Sequence, residues 1–184
     1  MSDLRDEELA LQAQNGDLSA FSALVARYEA KLLRYARKFL FSSEDGEDLV
    51  QDVFIKAYRN IQSFDATRSF SSWIYRIAHN EFINALKKKT RQPLTFLDFD
   101  TFFPQPRAAE TADKDLHDTE LRHILDTCLD RLDPKYREPL ILFYYEELDY
   151  REIAEILHLP VPTVGVRLKR AKEKLREAYS TLVP

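Results

Sequence analysis

Apolar residues recur along most of the chain with the three- to four-residue spacing of amphipathic helices. The first such stretch runs from about Leu18 to Leu40, and Asp17 stands before it as a good N-cap. A second helix is predicted from about Glu44 to Ile61, opened by Ser43, and a third follows the SFSS sequence and reaches about Lys88. This pattern is typical of an all-α protein.

Helical spacing stops between Arg91 and Asp115, where prolines, acidic residues and aromatics follow one another. We interpret this stretch as a flexible linker. Beyond it, an apolar stripe over 116–132 predicts a further helix, and Asp133 followed by Pro134 predicts the start of the next. The fold expected is therefore all-α, with two small helical domains, 1–90 and 116–184, joined by the linker 91–115.

Two more helices are predicted near the C-terminus. Pro139 should kink the helix that starts at Pro134. Asp149 and Glu152 have the spacing of a capping box and open a helix over about 150–157. The LPVP sequence ends that helix, and the last helix runs over about 161–179.

Composition narrows the class of protein. The formal net charge of −4 argues against non-specific nucleic-acid binding, yet positive charge collects at 87–91 and 167–176. The one cysteine, Cys128, excludes an internal disulfide framework, fits a reducing compartment, and has the leucine flanks of a core thiol. Without a signal peptide or an apolar run long enough for a bilayer, we expect a soluble cytoplasmic protein with no membrane insertion.

The last two helices fit the helix-turn-helix pattern, because a short turn joins them and the second is basic. One stripe of the last helix should pack on the preceding helix through Val164, Leu168, Ala171 and Leu175. The candidate DNA-reading residues lie outside that stripe: Thr163, Val166, Arg167 and Arg170 near bases, with Lys169 and Lys172 near phosphates. The alternative is a solvated helix with ordinary surface lysines.

The second helix carries an unusual outer face made of Asp48, Gln51, Asp52 and Ile55. An aliphatic side chain flanked by acids on an exposed face indicates a protein contact with a polar rim. A stray surface isoleucine is the alternative.

The third helix carries a stripe suited to single-stranded DNA: Trp73, Arg76, Asn80, Asn84 and Lys87. An aromatic ring stacks on bases, amides bond to base edges and cations pair with phosphates. For Trp73 alone, a half-buried position that caps the core is a strong alternative, and the two explanations are compatible.

Two segments carry a family resemblance. LDPKYREPLILFYYEELDYREIAEILHLPVPTVGVRLKRAKEKLRE resembles domain 4 of bacterial sigma factors, which binds the minus-thirty-five promoter element. EDLVQDVFIKAYRNIQSFD and SFSSWIYRIAHNEFINALKKK resemble sigma domain 2, which binds core RNA polymerase and opens the minus-ten element. The presence of these two domains alone is the layout of the extracytoplasmic-function (ECF) group of the sigma-70 family.

The resemblance implies a promoter-specificity subunit rather than an enzyme. It implies that the Asp48–Ile55 face docks on the β′ clamp, that β is also contacted, and that the loop 63–72 holds a flipped minus-ten base. It further implies promoter DNA and an anti-sigma factor as partners. The chain departs from the family pattern at Glu81, Asn84, Gly165 and Val166, which bears on the promoter sequence read.

Three other interpretations compete with a sigma factor, and one of them, a purely structural helical scaffold, would leave both basic clusters unexplained. A one-component helix-turn-helix regulator with a helical N-terminal sensor domain would bind duplex DNA without polymerase, but would need neither the Asp48–Ile55 face nor the Trp73–Lys87 stripe. LTFLDFDT resembles a phosphatase nucleophile loop but stands between helical segments without a βαβ pattern. The four histidines are scattered, so we predict no catalytic residue, metal site or cofactor.

Overall fold

The computed structural model describes residues 4–40, 44–90 and 116–182. Within these residues the chain forms α-helices and one short 3-10 helix at Ile61–Ser63, without strands. The α-helices are α1 (Asp6–Gln14), α2 (Leu18–Leu40), α3 (Glu44–Asn60), α4 (Phe70–Thr90), α5 (Leu116–Asp130), α6 (Pro134–Tyr144), α7 (Tyr150–Leu157) and α8 (Val161–Leu182). The all-α class is confirmed, while the proposed linker 91–115 lies outside the described residues.

Local capping explains where several helices begin. Asp17 accepts hydrogen bonds from the amides of Ser19 and Ala20 at the start of α2, as predicted. Asp133 accepts from the Lys135 amide at the start of α6. Asp149 and Glu152 form the predicted capping box of α7. Ser43, the predicted cap of α3, lies outside the described residues.

The other boundaries follow the sequence pattern less closely. α6 continues across Pro139 to Tyr144, and the kink expected at Pro139 stays a prediction. α8 extends to Leu182, a few residues beyond the predicted end. None of the described helices has the length and apolar character needed to cross a membrane.

Helix α1 was not predicted, and it supports the loop that leads into α4. Its Leu9 and Ala10 are fully buried. The side-chain amide of Gln14 donates to the carbonyl oxygens of Ile61 and Phe64, at 2.8 Å each. A Glu7 carboxylate oxygen accepts from the Phe70 amide at 3.1 Å, which satisfies a free donor at the first turn of α4.

The buried apolar residues form one core that runs through both halves of the described chain, 4–90 and 116–182. Helix α4 packs on α7 and helix α2 packs on α6, so the two halves are in contact. Cys128 is fully buried, which confirms the predicted core thiol.

Candidate nucleic-acid and polymerase interfaces

The two sides of α8 differ as the sequence predicts. Val164, Leu168 and Ala171 are at most 1% exposed and pack against α7, whose Ile153 and Leu157 are also buried. An amphipathic helix fixed by one apolar stripe presents its other side in a defined orientation. Three of the four predicted stripe residues are therefore buried as expected, whereas the fourth, Leu175, is only partly buried.

The opposite side of α8 carries the candidate DNA-reading residues. Val166 is 51% exposed, Lys169 and Arg170 are exposed, and Thr163 and Arg167 are partly exposed. Lys172 is exposed, but its ammonium group makes a cation–π contact: its Nζ lies 5.4 Å from the centroid of the Tyr144 ring. A hydrogen bond with Tyr144 raises the pKa of Lys172, so this ammonium stays charged at neutral pH.

The turn between α7 and α8 is short and hydrogen-bonded. His158 adopts a left-handed conformation with φ of 53° and caps α7, and the next amide donates to the Ala154 carbonyl. Gly165, in the first turns of α8, is not required by packing. A Cβ atom there would meet the Tyr150 ring at 3.6 Å, an ordinary contact distance.

Helix α3 also has a buried and an exposed side. Val50, Val53 and Ala57 face the core, whereas Ile55 is 48% exposed. The three polar members of the predicted face, Asp48, Gln51 and Asp52, are all exposed. The four candidate residues therefore share a solvent-facing surface on a rigid helix.

Glu81 departs from the family pattern, and the structure supplies a reason. Its carboxylate forms an ion pair with Lys56 of α3, and its side chain is only 13% exposed. A charge at this largely buried position thus has a partner on the neighbouring helix.

The candidate DNA stripe of α4 is mixed in its exposure. Asn80 and Asn84 are exposed, and Arg76 and Lys87 are partly exposed. Trp73 is only 9% exposed, so its ring belongs to the core as the alternative explanation held. Its ring centroid lies 5.3 Å from that of Phe64 and 5.5 Å from that of Phe70.

A shallow pocket opens beside Trp73 at the loop before α4. Its lining combines an aromatic ring, hydroxyls, guanidinium groups and carboxylates: Ser63, Phe64, Asp65, Arg68, Ser69, Ser72, Trp73, Arg76 and Glu155. Asp65 shapes the loop, because its carboxylate accepts from the amide and hydroxyl of Thr67. These bonds lower the pKa of Asp65. The hydroxyl, guanidinium and carboxylate groups of the lining can hydrogen-bond to the edge of a base.

Glu155 belongs to α7, so the second half contributes to this pocket. The Arg68 guanidinium donates to the Glu155 carboxylate at 3.2 Å, and the Ser69 hydroxyl donates to Glu152 at 3.3 Å. Sequence analysis did not assign a role to either glutamate. No local pattern could have done so, since each lies more than 80 residues from its partner.

A buried polar cluster lies between α2, α4 and α6. Glu138 accepts a hydrogen bond from the Tyr35 hydroxyl and lies 2.6 Å from His79 Nδ1. Burial lowers the pKa of His79, but the charge and hydrogen bond of Glu138 outweigh burial and the nearby Lys87, so the pKa is raised overall. His79 is thus a buried structural residue.

A second polar contact between the halves involves Glu146, whose side chain is fully buried. Both of its carboxylate oxygens accept from the Arg34 guanidinium, at 2.9 and 2.8 Å, and the Tyr75 hydroxyl also donates to it. Burial and the Glu146 charge together raise the pKa of Tyr75, which stays a neutral donor.

Comparison with known proteins identifies the class. Residues 24–92 match the family model of sigma-70 region 2, and residues 122–175 match that of sigma-70 region 4. An ECF RNA polymerase sigma factor of Bacillus subtilis, SigW, is 37% identical over 93% of this chain and 95% of its own. The ECF RNA polymerase sigma-E factor of Escherichia coli K12 is 34% identical over 98% and 97%.

Solved structures agree with this class. CnrH, solved with the cytosolic domain of CnrY, superposes with a TM-score of 0.72 at 29% identity and covers 96% of this chain and 97% of its own. The sigma factor RpoE of Bartonella quintana, solved with the anti-sigma factor NepR, gives a TM-score of 0.71 at 26% identity over 89% and 98%.

The chain therefore belongs to the ECF group of the sigma-70 family. It is an RNA polymerase sigma factor that directs promoter recognition, promoter melting and transcription initiation. The alternative of a one-component regulator is set aside, because region 2 and region 4 both match in the family order.

Proposed function

We propose that this sigma factor uses three separate surfaces, one for polymerase and two for promoter DNA. The observation that carries this proposal is the placement of three chemically different sets of side chains on α3, α4 and α8, which are exposed or partly exposed apart from the buried Trp73. Each set lies on a helix whose other side is buried, so each is held in a fixed orientation.

The α3 face would dock on the β′ clamp of core polymerase. Ile55 supplies an apolar centre, and Asp48, Gln51 and Asp52 supply the polar rim expected of a non-obligate interface. The adjacent Tyr58, 45% exposed, extends the apolar surface along the same helix.

The α4 face and the pocket would capture the melted non-template strand of the minus-ten element. Asn80 and Asn84 offer amide groups to base edges, and Arg76 and Lys87 offer cations to phosphates. Trp73 contributes mainly as a buried wall of the pocket, because its ring packs against those of Phe64 and Phe70, which also contact each other. A flipped base would lie against that wall.

The exposed side of α8 would read the minus-thirty-five element in the major groove. Arg167 and Arg170 have the donor geometry for guanine, and Val166 suits a thymine methyl group. Thr163 would reach a phosphate or a base edge, and Lys169 and Lys172 would contact phosphates. The first turns of α8 are its DNA-proximal end in this arrangement.

The partners follow from these surfaces and from the relatives. We propose that the protein binds core polymerase, through β′ and β, and promoter DNA. We also place it in the cytoplasm with the polymerase. The Bartonella relative was solved with an anti-sigma factor, and we propose such a partner here. We assign no enzymatic activity, and we propose domain bounds of 1–90 and 116–184.

Run-off transcription with purified core polymerase on random promoter fragments tests the function as a whole. Specific start sites that depend on this chain are expected. Asn80→Ala should impair opening of duplex promoters, measured as permanganate reactivity of thymines, and pre-melted templates should restore activity at least partly. Asn15→Ala, at an exposed asparagine outside α4, is the control. Equal defects of Asn80→Ala on duplex and pre-melted templates would contradict a role in strand opening.

A further inference from the structure

The loop that leads into α4, residues 61–70, is held at both of its ends by α1. At the first end, the side-chain amide of Gln14 donates to the carbonyl oxygens of Ile61 and Phe64, at 2.8 Å each. At the other end, a carboxylate oxygen of Glu7 accepts from the first amide of α4 at 3.1 Å. One short helix therefore fixes the backbone where this loop begins and where it ends.

Gln14 suits this contact by its chemistry and by its place. A glutamine side chain carries two N–H donors, one for each of the two carbonyl oxygens. Gln14 is also the last residue of α1, and its own carbonyl oxygen accepts from the side-chain amide of Gln62 at 2.7 Å. That carbonyl is one of those that a helix C-terminus leaves without a partner inside the helix. Helix α1 and the loop are therefore hydrogen-bonded in both directions.

Helix α1 is itself firmly attached to the first half of the chain. Leu9 is fully buried in the core. The Asp6 carboxylate accepts from the Arg27 guanidinium and from the Tyr28 hydroxyl, both on α2. Because the packing of the whole helix limits the movement of Gln14, this side chain can determine where the loop backbone lies.

The backbone that Gln14 holds forms a wall of the pocket beside Trp73. Ser63, Phe64 and Asp65 are three successive residues of the pocket lining. Phe64 is only 4% exposed, and its ring centroid lies 5.3 Å from that of Trp73. Gln14 itself lies outside the lining that the structure describes. Any effect of Gln14 on a bound base therefore passes through the backbone of the loop.

We propose that Gln14 is a positioning residue for the minus-ten element, because its two hydrogen bonds hold the loop in the conformation that receives a flipped base. The inference rests on the proposed role of the pocket. Without these bonds the loop has to be ordered when the base binds, and that cost lowers the affinity for the base. Helix α1 lies before residues 24–92, which match sigma-70 region 2. The inference thus gives a function to a helix outside the matched segment.

The experiment removes both donors with a side chain of similar length and similar helix propensity, Gln14→Met. Holoenzyme assembled with core polymerase is titrated with a fluorescein-labelled forked template, taken from a promoter found by run-off transcription. A second template carries an abasic site at the minus-ten position where loss of the base weakens wild-type binding most. Gln14→Met should bind the intact template about ten-fold more weakly than the wild type does, since two hydrogen bonds are lost. It should bind the abasic template as tightly as the wild type, because no base then enters the pocket.

Gln12→Met is the matched control, because it makes the same change on the same helix at a position about 200° around the helix axis from Gln14. It should bind both templates as the wild type does. Gln14→Glu keeps the length of the side chain but turns acceptors towards two carbonyl oxygens. It should therefore weaken binding of the intact template more than Gln14→Met does. A loss of folded protein would weaken binding of both templates alike, so the difference between the templates reports on the pocket.

The outcomes separate this inference from the proposed function. If Gln14→Met binds the intact and abasic templates with equal losses, or with no loss on either, the positioning role is wrong and the pocket keeps its proposed function. The role is also wrong if Gln12→Met shows the same loss, or if Gln14→Glu binds as the wild type does. If no abasic position in the minus-ten element weakens wild-type binding, the pocket does not capture a base, and the inference fails together with that part of the proposed function.

Discussion

Replacing Ile55 with Ala tests the polymerase-binding face, because the change removes apolar surface and leaves every charge in place. The Ile55 residue is 48% exposed. Full burial of such a side chain contributes about 1.5–3 kcal/mol, so covering its exposed half on binding would contribute about 0.7–1.5 kcal/mol. The expected loss of affinity for core polymerase is therefore about 3- to 13-fold.

The assay is a titration of fluorescently labelled sigma factor with purified core polymerase, followed by anisotropy. Leu11→Ala is the matched control, since Leu11 is 45% exposed on α1, outside the proposed face. Alanine favours helix, so α3 should not be weakened, and circular dichroism checks this. An affinity unchanged for Ile55→Ala, or an equal loss for Leu11→Ala, would refute the reasoning. Asp52→Arg with Ile55→Glu should abolish binding while helicity is kept.

The remaining predictions address DNA reading, pH dependence and packing. Arg170→Ala should relax base preference by about 1–3 kcal/mol at one or two positions, whereas Lys172→Ala should weaken binding to all promoters alike. Transcription from a library randomised across the upstream element separates these outcomes. An unchanged base preference in Arg170→Ala would show that Arg170 does not read the DNA sequence. Because Glu138 raises the pKa of His79 despite burial, their contact stabilises fully below about pH 6.5 and is lost as pH rises through the folded-state pKa. In His79→Gln, the free energy of unfolding measured with urea should change less with pH over that range. An equal slope in the variant and the wild type would contradict this prediction. Leu168→Ala should lower the free energy of unfolding by about 2–5 kcal/mol, since Leu168 is 1% exposed; a loss below about 1 kcal/mol would argue against the packing of α8.

The helices themselves could be predicted from the sequence because their signals are local. Asp17, Asp133 and Asp149 cap helices within three residues of their own positions. The buried and exposed sides of α8 followed from its period alone. Helix α1 was missed: it is short and weakly amphipathic, and its place depends on contacts with the loop near residue 64.

The candidate sites were predictable only in part. Asp48, Gln51, Asp52 and Ile55 do share an exposed face, since one rigid helix carries them all. Trp73 shares a helix with Asn80 and Asn84 but is buried, and its ring packs against those of Phe64 and Phe70. Periodicity places side chains around a helix axis but does not reveal what covers them.

By itself, the sequence determined the all-α class, the order of the two sigma regions and the chemistry available on each helix face. Only the tertiary structure decided which acidic side chains are buried. Glu138 meets Tyr35, 103 residues away, and His79, 59 residues away. In a helical pattern Glu138 and an exposed glutamate such as Glu173 look alike. They differ because the free energy of burying a carboxylate depends on donors that only the folded chain brings within reach.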